Sequence, residues 1–229
     1  MSLETARGET IEFRAGADTI RAHLARPAGT GRAPAVILLH GINGLAAGNR
    51  EAADQFAAAG YVALAMDGFS VDKDPHDRVV MGYVDAAGDY LRAQDYVDAE
   101  RLVVGGYCRG GAQTYVALAE HPWLRAGLAY HATLPRQPDP ARRAEVFEYA
   151  DRIKAPVLIL HGAADHTSPI ENTYRLVRQF DAQGTPYALK VYSGVGHGFY
   201  LPEGSGYDAY ASADSWRETL AFLEHHLGG

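Results

Sequence analysis

The chain has 229 residues, 47% of them apolar and 21% charged. That suffices for one large domain with a buried core and excludes a disordered chain or a coiled coil. Lys and Arg number 21 against 28 Asp and Glu, a formal net charge of -7, and no basic run offers a footprint for nucleic acid or an anionic membrane.

The aliphatic runs, such as Val36-Ile37-Leu38-Leu39, are far too short to span a bilayer. Residues 1–16 are charged and lack an apolar run, so no signal peptide is expected. The single cysteine excludes an internal disulfide and a Cys-based zinc site, and one reduced thiol fits the cytoplasm.

Residues 10–14 and 19–26 alternate apolar and polar side chains around Gly16 and Asp18, which predicts a half-buried N-terminal hairpin. Residues 33–40 form a continuous aliphatic run ending in His40-Gly41, the pattern of a strand covered on both faces. Asn49 reads as a helix N-cap, with Glu51 in the first turn and Gly60 closing the helix. A strand over 61–66 follows, then a loop over 67–75. Its acidic residues, Asp67 and those from Asp72 to Asp77, read as a solvated loop whose spacing matches no calcium site. Residues 78–97 read as mostly helical despite Gly82 and Gly88.

Residues 101–105 form a strand leading directly into Gly106-Tyr107-Cys108-Arg109-Gly110-Gly111 and a helix to His121, which Pro122 stops. A strand over 125–130, a Pro-rich loop over 131–140 and a helix over 141–152 come next. Residues 156–161 are a buried strand ending in Gly162-Ala163-Ala164-Asp165. Ser168-Pro169-Ile170-Glu171 reads as a capping box with Pro at the first helical position, its helix running to about Asp181. A strand over 187–192 precedes Val195-Gly196-His197-Gly198. The last helix carries Trp216, Leu220, Leu223 and Leu227 on one face.

This alternation predicts the α/β class: a single domain over residues 1–229, with a mainly parallel central sheet and helices on both faces. Residues 131–155 leave no room for a large lid domain. Ligands of such sheets sit beyond the carboxyl ends of the strands. His40-Gly41-Ile42, Cys108, Asp165 and His197 all follow strands.

Gly106-x-Cys108-x-Gly110 between a strand and a helix is the pattern of an elbow that lifts a nucleophile out of the sheet. It also sets the sulfur at a helix N-terminus, where positive backbone potential favours the thiolate. Taken alone, a buried, inert cysteine near a tight turn fits the five residues as well. The order nucleophile, acid, histidine shifts the balance, because Cys108, Asp165 and His197 follow the order of an α/β-hydrolase triad. Asp165 would orient His197 and stabilise its imidazolium. The expected oxyanion donors are the backbone N–H groups of Arg109 and Ile42.

Around these residues the chain resembles the dienelactone hydrolase family (carboxymethylenebutenolidases), of α/β-hydrolase fold. The match lies in Gly105 to Gly111, in residues 156–165 and in Gly194-Val195-Gly196-His197-Gly198-Phe199, and it extends over nearly the whole chain. It implies a Cys–His–Asp triad that hydrolyses a small lactone or ester through a thioester, with no cofactor and no metal. Two departures stand out. Founding members carry a Glu in the oxyanion loop where this chain has Gly41, so Cys108 is expected to pair with His197 at rest. They also hold an anionic substrate with two arginines. One falls at Leu201 here, and the other corresponds loosely to Arg78. Leu201, Phe199, Tyr130 and Tyr83 suggest a more apolar pocket for a neutral ester or lactone, with His131 a further candidate for its lining.

The partner expected is that small molecule, neither nucleic acid nor membrane, and the chain is a monomer or small homo-oligomer. Two other functions fit the pattern: thioester hydrolysis or another acyl-transfer or C–X cleaving reaction on the same triad, and a non-catalytic, redox-sensing protein of the same fold. A sensor has no need of Asp165 and His197 in register. His225-His226 reads as a solvated helix end, and Gly105 to Gly111 lacks the Lys of a phosphate loop.

Overall fold

The computed structural model of the protein describes residues 8–134, 143–202, 204 and 206–228. The N-terminal hairpin pairs β1 (Glu9–Ala15) with β2 (Asp18–Ala25), with Gly16 at φ 60° in its turn. There follow β3 (Ala33–Leu39), α1 (Ala47–Ala58), β4 (Val62–Met66), α2 (Asp77–Arg92), β5 (Val97–Tyr107) and α3 (Arg109–Glu120). The second half runs β6 (Ala126–Tyr130), α4 (Val146–Tyr149), a 3₁₀ turn (Ala150–Arg152), β7 (Val157–Gly162), α5 (Ile170–Gln183), β8 (Tyr187–Tyr192) and α6 (Ala209–Leu227).

The eight strands form one sheet in the order β1-β2-β4-β3-β5-β6-β7-β8. From β4 to β8 every pairing is parallel, and β2 runs antiparallel to both of its neighbours, β1 and β4. Crossover helices cover both faces, so the central strands are apolar on both. In β3 the pleat sends Ala35, Ile37 and Leu39 into the core beneath α2, α3 and α5, and Val36 and Leu38 into the core beneath α1 and α6. No helix among the described residues is long and apolar enough to cross a membrane.

Several local expectations change. The helix α1 begins earlier than Asn49 implies. Ala46 is the N-cap, and Asn49, three residues in, accepts the Ala46 N–H on its side-chain oxygen at 3.3 Å. The helix expected over 78–97 stops at Arg92, because Val97 opens β5 and pairs with Ala33. Ser168 caps nothing. Pro169 takes the N-cap position of α5, while the Ser168 hydroxyl donates to Ala132 O at 2.7 Å and accepts from the Leu134 N–H at 3.2 Å. Of the helix expected over 141–152, α4 and the 3₁₀ turn form. Residues 141–142 lie outside the described residues, as do 135–140 of the expected loop.

Candidate active site

The parallel strands deliver their following loops to one edge of the sheet. β5 ends at Tyr107, and Cys108 turns the chain into α3 with φ 58° and ψ -116°. A positive φ on a side-chain-bearing residue is strained, and such strain persists only where its surroundings fix it. The flanking glycines permit the close packing that does so. A Cβ on Gly106 would lie 2.1 Å from Gly110 O, and one on Gly110 would lie 2.2 Å from Leu39 O.

Asp165 lies three residues beyond β7, its carboxylate fully buried. One oxygen accepts the Thr167 and Ser168 N–H groups at 2.9 and 2.8 Å. The other stands 2.6 Å from Nδ1 of His197, on the loop after β8. Burial works against the Asp165 carboxylate, but the His197 and Ser168 hydrogen bonds outweigh it and hold its pKa below the ordinary value.

His197 and Cys108 also act on each other. Burial pushes the Cys108 thiol up, yet hydrogen bonding with His197, with Thr133 (Sγ to Oγ1 3.3 Å) and from the Arg109 N–H leaves it below its ordinary value of 9.0. His197 moves the opposite way. Burial lowers it, and the hydrogen bonds to Asp165 and Cys108 raise it to about 9. Thiolate and imidazolium stabilise each other.

His131 packs edge-on against His197, ring centroids 4.6 Å apart. Its backbone is strained at φ 37°, and its Nδ1 is buried with no hydrogen-bond partner. Burial first, and the charge on His197 second, hold it well below the ordinary histidine value, so it stays neutral beside the imidazolium.

Gly41 sits against the nucleophile. A Cβ there would lie 3.2 Å from Cys108 Cβ and 3.8 Å from its sulfur. His40 fixes the peptide that follows Gly41. It is buried, its Nε2 accepts the Gly68 N–H at 2.9 Å, and its Nδ1–H therefore donates to Gly41 O at 2.6 Å. Burial lowers its pKa and keeps that neutral tautomer. In a trans peptide the N–H opposes the carbonyl, so turning Gly41 O toward His40 turns the Ile42 N–H away from it.

A cavity of about 160 Å³ opens beside Cys108, lined by Ile42, Asp77, Arg109, Ala112, Thr133, Arg143, Ala144 and Thr167. Most of the side chains expected around the substrate lie elsewhere. Tyr83 is buried and donates its hydroxyl to Asp18 at 2.9 Å. Phe199 is wholly buried in the core beneath α1 and α6. Tyr130 and Leu201 line a second cavity, of about 250 Å³, with Tyr107, Tyr200, Tyr207 and Trp216. Arg78 lines a third with His76 and Arg143. Asp77, expected in a solvated acidic loop, is instead buried against the guanidinium of Arg109. Sequence reasoning also passed over Thr133, although it lies two residues beyond His131 and just past the carboxyl end of β6.

A mainly parallel eight-stranded sheet, carrying a potential nucleophile on a strained strand-to-helix turn and an Asp–His pair on two later loops, defines an α/β-hydrolase. The profile of the dienelactone hydrolase family matches residues 20–82 and 69–227, and the chain belongs to that family. It is a hydrolase acting on ester or lactone bonds. A Bradyrhizobium protein provisionally named 2-oxo-3-(5-oxofuran-2-ylidene)propanoate lactonase is 30% identical to it over 246 residues, covering 100% of this chain and 98% of its own. One from Salmonella typhimurium, provisionally named carboxymethylenebutenolidase, is 28% identical over 228 residues, covering 92% of this chain and 84% of its own. A crystal structure from Klebsiella pneumoniae, described provisionally as a dienelactone hydrolase, superposes with a TM-score of 0.88 at 24% identity, covering 94% of this chain and 97% of that one.

Proposed function

We propose that the protein hydrolyses small neutral esters or lactones with a Cys108–His197–Asp165 triad, through a thioester on Cys108. One observation carries this reading. The nucleophile candidate sits on a strained elbow beside an imidazole whose Nδ1 lies 2.6 Å from a buried carboxylate, and the two act on each other so that the thiol value falls and the imidazole value rises.

The thiolate attacks the substrate carbonyl, and the N–H groups of Ile42 and Arg109 receive the negative charge that develops on oxygen. As the C–O bond breaks, the His197 imidazolium gives its proton to the departing alkoxide. The neutral imidazole then takes a proton from water, which attacks the thioester and frees the acid and the thiol. The single thiol suits a reducing compartment, and we place the protein in the cytoplasm.

Intact-mass measurement after mixing with an activated aryl ester is the test. The mass should rise by one acyl group, with a pre-steady-state burst of phenol, and both should vanish in Cys108→Ala. Turnover that survives in that variant would overturn the triad.

A second reading takes a carboxylate-bearing lactone as substrate. Arg143 favours it, since it lines the Cys108 cavity, and the Bradyrhizobium relative's name describes such a lactone. The neutral reading is preferred because Asp74 stands 3.1 Å from the Arg143 guanidinium and matches its charge. Activity confined to carboxylate-bearing lactones would decide for the second.

A further inference from the structure

The cavity beside Cys108 is walled by three parts of the chain that meet on one buried carboxylate. Asp77, the first residue of α2, is 4% exposed. Its Oδ1 accepts from Arg109 Nε at 3.2 Å, Arg109 Nη2 at 3.1 Å and Gln113 Nε2 at 2.8 Å. Its Oδ2 accepts the Ala144 N–H, 67 residues away in sequence, at 2.9 Å. Arg109 reaches on to Asp74 Oδ1 at 2.6 Å, and Arg143 meets the same oxygen at 3.1 Å. Asp77 thus ties the residue that follows the nucleophile to the backbone at position 144, and both line the cavity.

We infer that Asp77 is a positioning residue that sets the size of acyl group the enzyme accepts, by drawing Ala144 in over the Cys108 cavity. The inference rests on the proposed thioester chemistry and adds to it a limit on the substrate. The small side chains of Ala112 and Ala144, with Thr133 and Thr167, leave about 160 Å³. A cavity of about 150 Å³ takes up a benzene-sized group, so a butanoyl chain would lie within these walls and the end of an octanoyl chain beyond them. Among the described residues, Arg109 pairs with Asp77 and Asp74 and Arg143 with Asp74, so the cavity receives an uncharged chain without breaking these pairs.

Asp77→Asn separates the two functions of the carboxylate. The amide oxygen can still accept from Arg109 and Gln113, while its NH₂ confronts the Ala144 N–H, donor against donor. The experiment measures kcat/KM on 4-nitrophenyl esters from acetate to octanoate, with the iodoacetamide alkylation rate of Cys108 as a control for an intact nucleophile. The wild-type enzyme should prefer butanoate to octanoate at least tenfold. In Asp77→Asn that preference should fall at least fivefold while alkylation stays within twofold of wild type. Ala144→Val and Ala112→Val, which narrow the cavity and leave the ion pair alone, should each shift the preference from butanoate toward acetate at least fivefold.

A flat wild-type profile from acetate to octanoate overturns the inference. So does a folded, alkylatable Asp77→Asn with an unchanged profile. Should Asp77→Asn fail to fold, the two Val variants decide, and an unchanged acetate-to-butanoate ratio in both overturns it. A wild-type enzyme that cleaves none of these esters refutes the proposed function instead.

Discussion

At Cys108, burial and charge pull in opposite directions, and the hydrogen bonds from His197, Thr133 and the Arg109 N–H decide the result. Below its pKa an ordinary thiol becomes roughly tenfold more reactive with each unit that the pH rises, because only the thiolate reacts. Alkylation of Cys108 by iodoacetamide should therefore be faster at pH 7 than that of a free cysteine and rise less steeply between pH 7 and 9. In His197→Gln burial is left opposed only by Thr133 and the Arg109 N–H, and the steep ordinary dependence should return. An unchanged profile in that variant would remove His197 from the activation of the sulfur. The linkage has a definite sign for His197. Its value is raised from 6.5 to about 9, so its contribution to stability is complete below pH 6.5 and is lost as the pH rises through 9.

His40 acts on a different part of the reaction. Its Nδ1–H holds Gly41 O, and on the proposed mechanism this aims the Ile42 N–H, which would matter only when an oxyanion forms. His40→Ala should lower kcat by about tenfold, less than the ~10²–10³ lost with an oxyanion donor itself. It should leave KM within threefold and the alkylation of Cys108 unchanged, since alkylation makes no oxyanion. A parallel fall in both rates would mean general damage to the site.

Among the elements, the elbow between β5 and α3 tolerates least. The would-be Cβ atoms on Gly106 and Gly110 meet backbone carbonyls at 2.1 and 2.2 Å, and backbone cannot swing aside as a side chain can. Gly106→Ala should cost more than about 2 kcal/mol, and at roughly 2–4 °C per kcal/mol for a chain of this size it should lower Tm by at least about 4 °C in a thermal melt. Helix boundaries were less legible than strands for a related reason. Residues 93–97 continue an acceptable helical composition, but the parallel partner offered by Ala33 draws Val97 into β5. The hydroxyl of Ser168 fits a cap by its spacing, yet the carbonyl of Ala132 lies nearer to its purpose. Local pattern reveals which groups can cap, and tertiary contact determines which of them do.

For the molecule as a whole, the central strands and the alternation of layers are written in runs such as 33–39 and 157–162, because a strand buried on both faces needs nothing but apolar side chains. Cys108, Asp165 and His197 could be singled out because each is chemically distinctive and each follows a strand, and the structure brings two of them, Asp165 and His197, within 2.6 Å. Thr133, His40 and Asp77 could not, since their contacts arise only where loops remote in sequence cross. Tyr83, Tyr130, Phe199 and Leu201 show the converse. An aromatic or aliphatic residue near a motif looks like a pocket lining from sequence, and only the packing reveals that Tyr83 serves Asp18 and Phe199 the core.

The bare α-carbon at Gly41 leaves nothing between the sulfur and the approach from that loop. On the proposed mechanism this thiol waits in a partly ionised form, and a thiolate is also what peroxide attacks first. Preparations stored in air should therefore lose titratable thiol and hydrolytic rate together, and a reductant added early should restore both, until the sulfur has taken up its second oxygen and the damage is permanent.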